Sequence, residues 1–122
     1  MSETYTTYSG WYVRHPWYQS APPTKPTDLV NAYDMQVTHR PHHFHETEAE
    51  AWAEVREHAT AMAEQAEKDL AFYSIDGVHI SPKGVKTFVP IEKVEEWRAE
   101  AKQKLEIAEA TLALCDERER AA

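Results

Sequence analysis

Apolar residues at Trp52, Val55, Ala59, Met62, Ala66, Leu70 and Tyr73 advance by three or four positions at every step. Only an α-helix gathers that spacing onto one face, so a long amphipathic helix is predicted over Thr47 to Tyr73. Thr47 and Glu50 form the S/T-x-x-E pattern of a capping box, which fixes where the helix begins. A second stripe, Ile91, Val94, Trp97, Ala101, Leu105, Ala108, Leu112 and Cys115, predicts another helix starting near Pro90. Proline suits a first helical turn because its φ is preset and its missing donor has no partner there.

The segment between the stripes carries two turn signals, Asp76-Gly77 and Ser81-Pro82-Lys83-Gly84. Short β-prone runs at Val78–Ile80 and Val85–Val89 flank the second turn and predict a small hairpin. The two helices should therefore run antiparallel, joined by a β-hairpin connector. In the N-terminal third, Tyr33, Met35 and Val37 alternate with Asp34, Gln36 and Thr38, the period of a strand. Gly10–Arg14 is the expected partner strand, with an irregular loop at Pro16, Pro22, Pro23 and Pro26 between them. The expected fold class is α+β: two long antiparallel helices packed with a small N-terminal antiparallel sheet. At 122 residues the chain suits a single domain, 1–122, with a β and loop part at 1–45 and the helical hairpin at 46–122.

Charge is unevenly placed. Twenty-one acids oppose 13 bases, a net charge of −8, and residues 46–74 alone hold eight acids against Arg56 and Lys68. This balance argues against direct nucleic-acid binding, which needs a basic footprint. No apolar run approaches membrane-span length, and no secretory signal opens the chain, so a cytoplasmic protein without membrane contact is expected. The single cysteine, Cys115, fits a reducing compartment. It falls on the second stripe, where a core role is expected rather than a nucleophilic one.

Three glycines, at 10, 77 and 84, cannot build a phosphate-cradling loop, and no cofactor is expected. Asp76-Gly77-Val78-His79 resembles the Asp-x-x-His block of GDSL-type serine hydrolases. That resemblance implies an Asp76–His79 pair with His79 as base, but the family's Gly-Asp-Ser nucleophile motif has no counterpart here. A turn is the expected role of these residues, and the chain is not expected to be an enzyme.

Two further features bear on function. Four of seven histidines lie within His39-Arg40-Pro41-His42-His43-Phe44-His45-Glu46. Imidazoles bind zinc, nickel and copper, but neighbours this close rarely converge on one ion. A polar connector is the expectation, with metal binding by the His39–Glu46 cluster the alternative and no metal required for folding. Glu50, Glu54, Glu57 and Glu64 step along the first helix opposite its apolar stripe. Such a face can occupy a basic groove on another protein. The leading expectation is thus a non-catalytic, acidic protein-binding module that acts as an inhibitor or adaptor by surface occlusion, for example an anti-CRISPR-like anti-defence protein of phage type. Trp17 and Tyr18 are its candidate aromatic anchors. The extra apolar line Ile107, Ala110 and Leu114 exceeds what a two-helix seam needs, and a homodimer, or a structural homo-oligomer subunit, is expected through it.

Overall fold

The computed structural model describes residues 4–18, 21–73, 78–80, 84, 86–88 and 90–121. Strand β1 (Thr6–Val13) is followed by 3₁₀ turns at Pro16–Tyr18 and Pro26–Asp28. Then come β2 (Val30–Val37), β3 (Phe44–His45), helix α1 (Glu48–Phe72), the strands β4 (Val78–Ile80) and β5 (Lys86–Phe88), and helix α2 (Ile91–Ala121). The fold is α+β, with antiparallel helices and an antiparallel N-terminal sheet, as the stripes and the alternation require. β4 and β5 pair antiparallel, from Val78 opposite Phe88 to Ile80 opposite Lys86.

The helix starts are set by local chemistry. Thr47 is the N-cap of α1, and its hydroxyl accepts from the Glu50 N–H at 3.2 Å. The Glu50 carboxylate lies 4.0 Å from His45 Nδ1. In α2 the Pro90 carbonyl accepts from the N–H groups of Lys93 and Val94. The far end of α1 is closed from outside: Arg98 Nη1 donates to the carbonyls of Leu70 and Tyr73, both at 2.6 Å. Helix carbonyls at a C-terminus lack partners within the helix, and a guanidinium there also meets the negative end of the dipole.

The helices meet along a seam made mostly of small residues. Trp52, Ala59 and Ala66 on α1, and Val94, Ala101, Ala108 and Cys115 on α2, are buried at seven-residue spacing. The larger members of both stripes, Met62, Leu70, Tyr73, Trp97, Leu105 and Leu112, flank this seam and are only half-buried. Ile91 departs from the expected stripe and is exposed. It lies seven positions before Arg98, which meets the last carbonyls of α1, so it projects past the end of its partner helix.

The sheet has the order β2-β1-β3, with β1 paired to β2 from Thr6 opposite Val37 to Val13 opposite Val30. The two-residue strand β3, too short to carry a sequence signal, places His45 opposite Trp11 and Phe44 opposite Tyr12. Gly10 makes this crossing possible, since a Cβ built there would stand 2.2 Å from the His45 carbonyl oxygen. Val13, Leu29 and Val30 form one core with Ala51, Trp52, Val55, Leu114 and Cys115, and Trp11 packs against it.

That core corrects one expectation. Ile107 is 2% exposed and Leu114 7% exposed within a single chain, and Ala110 is half-buried. Leu114 is covered by the β layer, so this line has no free apolar face to offer a second copy. Burying an apolar side chain is worth about 1.5 to 3 kcal/mol, which the fold recovers internally here.

Two substitutions test the packing. Ala101→Leu should destabilise by about 1 to 3 kcal/mol, because extra methylenes cannot enter a close seam without strain. Gly10→Ala should cost at least as much, because backbone rather than a flexible side chain blocks the new methyl group. Urea denaturation read by tryptophan fluorescence would measure both.

Candidate metal centre

Helix α1 presents a second face to the N-terminal layer. Glu54 and His58 are four residues apart, one turn of helix, and therefore point the same way. Both lie off the apolar stripe. The Glu54 side chain is 15% exposed, and its carboxylate is surrounded by imidazoles. His15 Nε2 lies 2.9 Å from Oε2, His43 Nδ1 lies 3.0 Å from Oε2, and His45 Nε2 lies 2.9 Å from Oε1. His58 stacks on His15 with ring centroids 4.2 Å apart and an interplanar angle of 23°. The rings of His43 stand edge-on to His15 at 5.2 Å and to His58 at 6.3 Å. Among the described residues His58 has no hydrogen bond or ion pair.

Each imidazole is fixed by the fold. His15 lies two residues past β1 and stacks on Trp17 at 6.4 Å, and its neighbour Arg14 donates its N–H to the Leu29 carbonyl. His45 is placed by β3, and so by Gly10. His43 has φ +64°, a left-handed conformation that is uncommon for any residue with a side chain and costs about 1 to 3 kcal/mol. Its carbonyl accepts from Val13 N–H at 2.9 Å, and Arg40 Nη2 donates to the Phe44 carbonyl beside it at 3.0 Å. These bonds hold the strained turn that aims the His43 ring at Glu54.

One ligand atom each from His15, Glu54 and His58 lie within 4.8 Å of one another, close enough to share an ion. Two imidazoles and a carboxylate are a donor set that zinc and neighbouring divalent metals accept. Burial alone would raise the Glu54 carboxyl, but hydrogen bonds from His45 and His15, and the nearby His43, outweigh it and hold the group below its ordinary value. Burial lowers His15, against the opposing pull of Glu54, so its neutral, ligating form is favoured.

Comparison with family models, with curated proteins and with solved structures returns no match.

The sequence pointed to part of this cluster and missed the rest. Of the His39–Glu46 run, His43 and His45 reach Glu54. His39, His42 and Glu46 are exposed and stand apart from it, although the His42 and His43 rings are 6.5 Å apart. His15 and His58 were not singled out, because nothing local joins positions 39 and 43 residues apart. The one available signal was the Glu54/His58 spacing on a helix face away from the stripe. Glu54 in turn leaves the expected acidic line, where Glu50, Glu57 and Glu64 remain exposed. Trp17 is half-buried, and the side chain of Tyr18 lies outside what is described. So do Asp76 and the side chain of His79. Cys115 is buried, and burial pushes its thiol up, which fits a packing role and not a nucleophile.

A groove of about 740 Å³ between the first turns of α1 and the last turns of α2 is separate from the cluster. Trp52, Ala53 and Cys115 help line it. Its cations are already paired, Arg118 with Glu48 and Arg56 with Asp116 and Glu119, each of the latter at 2.9 Å.

The cluster sets an acid sensitivity. His15 titrates below 6.5 in the folded chain, so the unfolded chain takes up that proton first and the folded state loses stability as pH falls from 6.5. Glu54 is likewise depressed, and its contribution is lost as pH falls below 4.5 toward its folded value. Metal-free protein should therefore show a urea midpoint that falls from pH 6.5 downward, and Glu54→Gln should flatten only the part of that profile below pH 4.5.

Proposed function

We propose that this protein binds a divalent transition-metal ion, of which zinc is the type, through His15, Glu54 and His58. The observation that carries this reading is the convergence within 4.8 Å of ligand atoms from two distant parts of the chain, His15 after β1 and the Glu54–His58 pair on α1. His58 supports it, as an imidazole without a hydrogen-bond partner among the described residues, stacked so that its nitrogen joins the same cluster. His45 would orient the carboxylate through Oε1, as partners of metal ligands commonly do. Calcium and magnesium prefer all-oxygen shells and would compete poorly.

Isothermal titration of untagged, chelator-treated protein with Zn²⁺ tests this. One ion should bind per chain, less tightly as pH falls because protons compete for the same nitrogens. At a hundredfold excess over Kd the ion should stabilise the fold by about 2.7 kcal/mol. His58→Ala and Glu54→Gln should each remove most of the affinity, while His39→Ala should not.

A second reading keeps the acidic α1 face as a docking surface for a protein with a basic groove, the chain acting as an occluding inhibitor or adaptor. It is favoured by the orientation of Arg56, which turns to Asp116 and Glu119 on α2 and leaves Glu57 and Glu64 without an ion pair among the described residues. Its signature would be a partner, recovered by affinity capture, whose association rate falls steeply with salt. Charge reversal at Glu50, Glu57 and Glu64 should slow that association and leave folding intact. Binding that survives the three reversals at low salt rules this reading out.

A further inference from the structure

Resting on the metal-binding reading, we infer that His43 is a fourth ligand, and that the ion is a closed structural clamp that locks the β2–β3 loop and the N-terminal layer onto α1. The three rings that would share the ion are His15, His43 and His58. In a tetrahedral site with Zn–N of about 2.0 to 2.1 Å, ring centroids lie about 3.2 Å from the metal and so about 5.2 Å from one another. The observed separations, 4.2, 5.2 and 6.3 Å, bracket that value. His43 lies outside the 4.8 Å set of His15, Glu54 and His58, but its Nδ1 already stands 3.0 Å from Glu54 Oε2, so a shift of its ring would let all three share one centre with that oxygen.

The backbone argues the same way. A residue held at φ +64° needs a reason, and the neighbouring bonds from Val13 N–H and Arg40 fix the turn without requiring a histidine there. What the histidine adds is a ring nitrogen 3.0 Å from the Glu54 oxygen that His15 also faces. His42, one residue earlier and exposed, has no such aim.

The ligands come from three parts of the chain: His15 after β1, His43 before β3, and Glu54 with His58 on α1. Four protein ligands leave no position for substrate, so the ion's role is to join segments and not to activate water. Metal supply would then regulate how firmly the N-terminal layer is docked. The fold has an apolar core of its own, so the loop and layer would loosen without the ion while the helical pair persists.

The test uses the full-length, untagged chain loaded with Co²⁺ or Zn²⁺. The Co²⁺ protein should show the intense visible bands of four-coordinate geometry, unchanged by added azide, because no coordination position is open. His43→Asn removes the imidazole and keeps a residue that tolerates the left-handed backbone. It should weaken Zn²⁺ binding about 100-fold or more, beyond the 10- to 100-fold typical of losing an outer partner. It should also make the Co²⁺ bands weaker and azide-sensitive, whereas His42→Ala should do neither. Zn²⁺ should slow proteolysis of residues 38–43 in wild type and not in His43→Asn. If His43→Asn binds Zn²⁺ within about threefold of wild type while His58→Ala does not bind, His43 is no ligand and this inference fails with the three-ligand site intact. Azide-shifted bands in wild-type Co²⁺ protein would overturn the closed clamp without any variant having to fold. Failure of wild type to bind either metal would overturn the metal-binding reading itself.

Discussion

A single carboxylate, Glu54, receives three imidazoles from two loops and a strand, and the relation of the N-terminal layer to the helices is organised around it. Burying a carboxylate is costly unless its oxygens are matched by donors. Here the donors come from His15, His43 and His45, which do not belong to α1, so the cost is met only when the sheet and its loops are in place. The polar knot and the apolar core lie on adjoining faces of one helix. Trp52, Val55 and Ala59 turn to one side, and Glu54 and His58 to the other. A single rotation of α1 about its axis would break both, which ties the geometry around Glu54 to the same packing that holds the chain together.

Much of the architecture was legible in the sequence, for identifiable reasons. Helix α1 was readable because its apolar period, its Thr47 cap and its Ala- and Glu-rich composition agree with one another. Helix α2 was readable from the same period and from Pro90. The β4–β5 pair followed from its turns. The strands β1 and β2 extend further than expected toward Thr6 and Val30, because pairing in register carries a strand past the residues whose alternation reveals it. β3 was not legible, since two residues have no period. The role of Ile107 and Leu114 was misread because a sequence stripe says how much surface is apolar but not what covers it. Leu29, Val13 and Val30 of the N-terminal layer pack in one core with Leu114.

The cluster around Glu54 was less legible than the fold. A run of neighbouring histidines drew attention to positions 39 to 45, yet half of those side chains point elsewhere. What joins His15 to His58 is topology: β1 must cross over α1 with Trp11 and Val13 inward for His15 to arrive at Glu54. Local sequence carries no trace of such an encounter. Beyond the histidine run, the i, i+4 pair of Glu54 and His58 has a local signature, and that spacing is common on solvated helices.

Arg98 has a consequence for how the molecule breathes. By holding the Leu70 and Tyr73 carbonyls it makes the end of α1 depend on the position of α2. Helix ends ordinarily fray alone and exchange their amide protons quickly, but an end closed by another helix opens only when the contact between the two is lost. The last turn of α1 and the second turn of α2 thus form one cooperative unit.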